Sequence, residues 1–226
     1  MGGGRQVLWT AVADVSVVLL FALSLTAFAL GRGDGVAFFQ SPARVGAIVV
    51  LFVLAAAAGF SSCGRMNPGK KEDRRNRWVF VPFFVLSLVM ATLPAYLDGR
   101  NLWTTDDIVT PYVGLVLLTV GGVLRIAPVF VLGRRFTGLV AIQEGHRLET
   151  GGFYRFIRHP SYAGMLLSVA GYVLVFRCWL GLLLLGALLA VLVARMNAEE
   201  ALLEREFGEE YTSYKRRTWR LAPWVY

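Results

Sequence analysis

This sequence contains a series of apolar segments, each close to the length of a bilayer span, separated by short Arg and Lys clusters. A transmembrane helix needs about 20 predominantly apolar residues. In 226 residues that are 56% hydrophobic and 17% charged, this pattern predicts an all-α, polytopic membrane protein. The predicted spans are about 7–30, 44–63, 78–97, 109–132, 161–176 and 179–198.

The last two predicted spans are joined by a tight turn at Arg177, Cys178 and Trp179, and the first of them is short. Residues 161–198 are therefore either two full crossings or a C-terminal helical hairpin, which gives about five to six transmembrane helices. The sequence shows no internal repeat and no separate soluble domain, so we predict a single membrane domain over 1–226.

Basic residues are distributed unevenly between the connecting segments. The segments 64–77 and 133–160 and the C-terminal tail are rich in Arg and Lys, whereas 31–43, 97–107 and the turn at Arg177 hold single Arg residues. Because cytoplasmic loops carry an excess of basic residues, we predict an integral, multi-pass protein with both termini in the cytoplasm. The net charge of +8 then indicates membrane lipids, and not nucleic acid, as partners.

The chemically unusual residues are concentrated in the second half of the chain. Ala, Val, Leu and Phe dominate the first three spans, and we interpret Asp14 as the one acidic residue inside them. We therefore predict a scaffold in 1–108 and the catalytic region in 109–226.

Arg125 lies well inside the fourth predicted span. Burying an unpaired guanidinium in a bilayer is costly, so such a residue normally faces a polar cavity or a partner. Its planar fork suits a carboxylate, and Pro128 could kink the span to open a cavity. The alternative is a structural Arg that snorkels or pairs with an acid.

A second cluster is "RHPSY", residues 158–162. Pro is pre-organised in the first turn of a helix, and the residue before it is pushed out of helical geometry. We therefore expect His159 at the helix cap with its ring free to turn inward, and Arg158 as an interfacial anchor. A lone His in this position is more often a cap than a catalyst.

A third cluster begins where the sixth span leaves the membrane, at Glu199 and Glu200. Tyr211 and Tyr214 fall roughly on the same helical face as Glu200, although Gly208 is expected to break the helix. Paired acids at the end of a span are usually solvated. Beside aromatic residues and opposite a His-Pro turn, they would also suit a small cationic, aromatic ligand.

The stretches "LRIAPVFVLGRRF", "GHRLETGGFYRFIRHPSYAGM", "EE" and "EFGEEYTSYKRR" together resemble the isoprenylcysteine carboxyl methyltransferase family. Its members are membrane enzymes that methylate a prenylated C-terminal cysteine with S-adenosylmethionine. The resemblance covers about residues 120–223. It implies a cytosolic cofactor pocket in the last helices without a Rossmann fold, and the sequence likewise has no strand–GxGxxG–helix unit.

The resemblance also implies roles for individual residues. Arg125 and Glu200 would be catalytic, without a metal. The residues that would bind S-adenosylmethionine are His159, Pro160, Tyr162, Gly164, Glu199, Glu200, Tyr211 and Tyr214. The acceptor would be a membrane-embedded lipid or a prenylated small molecule or protein. Its carboxylate, ionised at neutral pH, would need orientation by Arg125 and no base.

Other functions stay open at this point. Phospholipid N-methyltransferases share the small helical plan and the paired-Glu tail, and an amine acceptor would need His159 or a glutamate as base. Sterol reductases have a similar RHPxY turn and aromatic ending, but they carry an Arg-Asp pattern where this chain has Glu199 and Glu200, which favours a methyl donor over NADPH. A non-catalytic protein would be expected to scatter its polar clusters.

Overall fold

The computed structural model describes residues 3–60, 71–72, 78–132, 141–142 and 148–226. The helices in these ranges are α1 (Gly3–Arg32), α2 (Val36–Phe39), α3 (Pro42–Phe60), α4 (Phe80–Gly99), α5 (Val109–Leu132), α6 (Pro160–Val175), α7 (Trp179–Phe207) and α8 (Glu209–Lys215). Two short strands, β1 (Lys71–Glu72) and β2 (Ala141–Ile142), pair antiparallel. Most of the basic segments 64–77 and 133–147 lies outside the described residues.

Three of the described helices are long and apolar enough to cross a membrane. They are α4, the Val109–Pro128 part of α5, and α7, with mean hydropathies of 2.0, 1.7 and 2.2. Parts of α1 and α3, and α6, are shorter apolar helices. The prediction of an all-α, integral membrane protein is thereby confirmed. Since the 16 residues of α6 span only about 24 Å, less than a bilayer core, the number of full crossings stays a prediction.

Helices α5 and α6 pack backbone against backbone along a glycine seam, formed by Gly114 and Gly121 of α5 and Gly164 and Gly171 of α6. A Cβ added to Gly164 would overlap the Arg125 backbone nitrogen and lie 2.7 Å from the Gly121 carbonyl oxygen. The glycines of each helix are seven residues apart, so they lie on one face. Small residues of this kind let transmembrane helices approach closely. The seam fixes the start of α6 against the middle of α5.

A hydrogen-bond node joins α1, α4 and α6 inside the bundle. Pro94 lacks the N–H that would donate to the Met90 carbonyl one turn earlier in α4. The next carbonyl, that of Ala91, accepts hydrogen bonds from the Ser24 hydroxyl at 2.9 Å and the Tyr172 hydroxyl at 3.2 Å. Side chains of α1 and α6 thus bond to the backbone of α4 beside the proline and connect the three helices.

Asp98, at the end of α4, binds two arginines in the protein interior. Its carboxylate lies 2.9 Å from Nη2 of Arg44 in α3 and 2.6 Å from Nη2 of Arg177 in the turn between α6 and α7. The sequence interpretation, which gave the first three spans Asp14 as their one acid and assigned Asp98 to a loop, was wrong because α4 continues to Gly99. This cluster ties the N-terminal helices to the end of α6 opposite His159.

Candidate functional site

The turn formed by Arg158, His159 and Pro160, which we call the RHP turn, places a histidine at the end of the helix bundle where α6 begins. Pro160 is the first residue of α6, and His159 caps the helix with φ −123° and ψ 60°, as predicted. The His159 ring is buried and stacks on Tyr162, with ring centroids 5.5 Å apart and an interplanar angle of 19°. His159 Nε2 lies 3.1 Å from Oε1 of Glu200. Because a carboxylate only accepts hydrogen bonds, this nitrogen carries the proton.

Glu200 is the centre of a buried ionic network. Its Oε1 accepts hydrogen bonds from three donors: Arg158 Nε at 3.0 Å, His159 Nε2 at 3.1 Å and Arg220 Nε at 3.1 Å. Its other oxygen, Oε2, lies 3.6 Å from Lys215 Nζ. A carboxylate whose side chain is only 5% exposed needs such partners to remain charged.

Arg158 is part of this network and does not serve as the predicted interfacial anchor. Its side chain is 10% exposed. Besides binding Glu200, its Nη1 donates to the backbone carbonyls of Lys215, at 3.1 Å, and Thr218. The anchor interpretation was wrong because the C-terminal segment folds back over the RHP turn and supplies acceptors that replace water and lipid headgroups.

Glu199 shares His159 with Glu200, since His159 Nδ1 lies 3.5 Å from Glu199 Oε2, but its other partners differ, a distinction that the sequence did not provide. The Tyr162 hydroxyl donates to Glu199 Oε1 at 2.6 Å, and Arg195 Nε donates to the Tyr162 hydroxyl at 2.6 Å. The Glu199 side chain is 22% exposed. Arg195 was not among the predicted site residues, although its spacing of four from Glu199 is that of a helical ion pair and could have identified it.

Helix α8 carries the two predicted tyrosines. Gly208, with φ 54°, ends α7 as predicted, and the chain turns into α8. Tyr214 donates to the Tyr154 carbonyl at 2.7 Å, and burial raises the pKa of Tyr214 to about 12, so its hydroxyl stays protonated. Burial, with a further contribution from Glu200, also raises the pKa of Tyr211. The buried Tyr211 hydroxyl has no hydrogen-bond partner in the described part of the chain.

An open cleft of about 440 Å³ lies over the Glu200 network. This volume is within the range of about 300–1,000 Å³ typical of small-molecule sites. The residues that line it are Arg158, Asn197, Glu200, Lys215, Thr218, Trp219, Arg220 and Tyr226. Three cationic side chains and one carboxylate therefore line the cleft.

The structure brings together some of the predicted site residues and separates others. His159, Tyr162, Glu199 and Glu200 are in direct contact. Gly164 lies at the glycine seam, where helix packing accounts for it, and its place in a cofactor pocket stays a prediction.

Arg125 is connected to the RHP turn through its backbone. The Ser161 hydroxyl donates to the Arg125 carbonyl at 3.0 Å, so the start of α6 is tied to the helix that carries this arginine.

The fold is that of a helical integral membrane protein with an ionic cleft where the start of α6, the end of α7 and the C-terminal segment meet. Residues 113–205 match the sequence profile of the isoprenylcysteine carboxyl methyltransferase (ICMT) family, which confirms the resemblance found in the sequence. A probable protein-S-isoprenylcysteine O-methyltransferase of Oryza sativa subsp. indica is 33% identical over 117 residues, 50% of this chain and 61% of that protein.

A more distant relative extends the match. The protein-S-isoprenylcysteine O-methyltransferase of Dictyostelium discoideum is 28% identical over 163 residues, 71% of this chain and 69% of that protein. The chain thus spans about three fifths of the length of the Oryza sativa relative and somewhat more of the Dictyostelium discoideum relative. A solved structure, the eukaryotic intramembrane Ras methyltransferase ICMT, aligns over 98% of this chain and 94% of that one, with 16% identity and a TM-score of 0.41.

Proposed function

We propose that this protein is an S-adenosylmethionine-dependent methyltransferase that methylates the carboxylate of an isoprenylcysteine acceptor in the membrane. The observation that carries the proposal is the contact between His159 and Glu200, which joins the RHP turn and the Glu pair of the matched region at one cleft. The names of the relatives favour carboxyl methylation over the alternatives of phospholipid N-methylation and NADPH-dependent reduction.

The residues of the site fit the proposed cofactor. S-adenosylmethionine carries an ammonium and a carboxylate at one end, and the cleft offers the Glu200 carboxylate together with cationic side chains. The buried Tyr211 hydroxyl is a further polar group in need of a partner. The residues that would hold the cofactor are His159, Pro160, Tyr162, Glu199, Glu200, Tyr211 and Tyr214. When bound, the cofactor supplies a methyl group already activated by its sulfonium centre.

The chain's own contribution to the reaction is alignment and exclusion of water. Methyl transfer is an in-line displacement, so the increase in rate comes from holding the acceptor and the methyl group aligned in a site without water. An isoprenylcysteine carboxylate is ionised at neutral pH and needs no base. Arg125, within α5, would bind it with its guanidinium and orient one oxygen. The bilayer would deliver the prenyl chain of the acceptor, and the cytoplasm would deliver the cofactor if both termini are cytoplasmic, as we propose.

The first test is calorimetric titration of the detergent-purified protein with S-adenosylhomocysteine, with NADPH as the control. We expect micromolar affinity for S-adenosylhomocysteine and none for NADPH. Methyl transfer is then measured with labelled S-adenosylmethionine and an S-farnesylcysteine derivative, against the same compound with its carboxylate converted to a carboxamide. Labelling of the acid alone is the expected result. Binding of NADPH alone, or equal labelling of both compounds, would overturn the proposal.

Replacing Arg125 by alanine should separate binding from turnover. Because Arg125 is proposed to orient the acceptor, Arg125→Ala should lower methyl transfer by about 100-fold, the scale of a misplaced reactant, while S-adenosylhomocysteine affinity is retained. Arg125→Lys keeps the charge without the planar fork and should remain impaired. Loss of S-adenosylhomocysteine binding in a folded Arg125→Ala variant would instead place this residue in the cofactor site.

A further inference from the structure

The last eleven residues, 216–226, which we call the tail, fold back from α8 along the RHP turn. The backbone N–H groups of Arg158 and His159 donate to the carbonyls of Trp219, at 2.8 Å, and Arg220, at 3.1 Å. Leu221 packs into a buried apolar cluster with Leu192 and Met196 of α7. The tail lies beyond the region that matches the family profile, and it forms one side of the cleft.

Arg220 is the tail residue that contacts the Glu200 network. Its Nε donates to Glu200 Oε1 at 3.1 Å, its Nη1 to the Tyr226 hydroxyl at 2.6 Å and its Nη2 to the Asn197 side-chain oxygen at 2.5 Å. Its side chain is 12% exposed. Because all three of its nitrogens already bond to protein atoms, the Arg220 guanidinium is suited to holding the Glu200 carboxylate in place.

The two oxygens of the Glu200 carboxylate are held differently. All three donors to Glu200, from Arg158, His159 and Arg220, converge on Oε1. Oε2 has only Lys215 Nζ nearby in the described residues, at 3.6 Å, which is beyond a good hydrogen bond. The Lys215 side chain is 40% exposed, and its Nζ donates instead to Glu204 Oε1 at 2.7 Å. One oxygen of Glu200 is therefore fixed, and the other is left to accept from a ligand in the cleft.

We propose that Arg220 is a positioning residue for the cofactor site: by holding Oε1 of Glu200, it presents Oε2 to a hydrogen-bond donor of the cofactor, an ammonium or a hydroxyl. This inference rests on the proposed function. It gives the tail a role in cofactor affinity that is separate from binding of the acceptor. It also distinguishes Arg220 from the exposed arginines of the tail, which do not contact Glu200.

The test compares Arg220→Gln with Arg217→Gln, which removes the same charge from an exposed tail residue whose guanidinium donates to the Ser213 carbonyl. We expect Arg220→Gln to weaken S-adenosylhomocysteine affinity and raise the KM for S-adenosylmethionine by roughly tenfold, the scale of one charge-assisted hydrogen bond. The KM for the acceptor should stay unchanged, and Arg217→Gln should match the wild type. Arg220→Lys should recover part of the affinity, because it restores a donor to Oε1 without the contacts to Asn197 and Tyr226.

A double mutant shows whether Arg220 acts through Glu200. In a Glu200→Gln background, the additional Arg220→Gln change should no longer alter affinity. If Arg220→Gln fails to fold, Tyr226→Phe removes only the acceptor of Arg220 Nη1 and should weaken S-adenosylhomocysteine binding in the same direction with an unchanged unfolding midpoint.

The inference alone would be overturned if Arg220→Gln bound S-adenosylhomocysteine with wild-type affinity, or if Tyr226→Phe did so when Arg220→Gln does not fold. It would also be overturned if Arg217→Gln lost as much affinity as Arg220→Gln, or if Arg220→Gln still lowered affinity in the Glu200→Gln background. Absence of S-adenosylhomocysteine binding by the wild type would overturn the proposed function together with this inference.

Discussion

Glu200→Gln is expected to lower the stability of the protein and also to weaken its affinity for S-adenosylhomocysteine. Glutamine preserves the shape of the side chain but removes the charge that faces Arg158 and Arg220, both largely buried. Deleting one partner of a buried ion pair leaves the other charges uncompensated and typically costs about 3–5 kcal/mol. The measurement is the thermal unfolding midpoint in detergent, followed by calorimetric titration at a temperature where the variant is folded.

Two other glutamates provide controls. Glu199→Gln should cost less, about 1 kcal/mol, because Glu199 is more exposed and accepts mainly from the Tyr162 hydroxyl. Glu204→Gln removes a surface ion pair with Lys215 and should leave the midpoint almost unchanged. If Glu200→Gln unfolds at the wild-type temperature, the network does not depend on the charge of Glu200, and Glu200 is not its centre.

The second large effect is expected at the glycine seam. In Gly164→Ala the new methyl group would meet backbone atoms of Arg125 and Gly121, which cannot rotate away, so α5 and α6 must separate. Overpacking of this kind typically costs about 1–3 kcal/mol. The separation would also move the RHP turn away from Arg125, so methyl transfer should fall further than stability does. Unfolding midpoint and turnover are measured on the same preparation.

Gly186→Ala is the matched control. Gly186 lies in α7, and an added Cβ there meets nothing within 4 Å. Alanine is the better helix former by up to about 1 kcal/mol, so this variant should be as stable as the wild type or slightly more stable. Equal destabilisation by the two substitutions would mean that α5 and α6 do not pack through their glycines.

Local features of the sequence predicted most of the fold. The fourth span was predicted at 109–132, the bounds of α5, and the fifth began one residue after the start of α6. Apolar length and the position of Pro160 determine these bounds, and both are visible within a few residues. The cap at His159 and the break at Gly208 followed from the same kind of local chemistry.

Contacts between distant residues were not predictable in this way. Arg220 and Arg158 meet Glu200 across 20 and 42 positions of the chain, and no periodicity encodes that pairing. Asp98 was assigned to a loop because polar residues follow it, whereas its two arginine partners allow α4 to continue. The glycine seam did have a signal, because glycines seven residues apart lie on one face of each helix and small residues on such a face let membrane helices approach closely.

The glycine seam also determines which parts of the molecule are able to move. Helices that touch through backbone atoms cannot change their spacing by side-chain rearrangement, so we expect α5 and α6 to move as one rigid body. Arg125 and the RHP turn would then keep a constant separation in the proposed reaction. We therefore expect admission and release of a ligand to depend on the side of the cleft formed by Lys215 of α8 and by the tail. In the proposed enzyme, the rate of product release would be a property of this C-terminal segment.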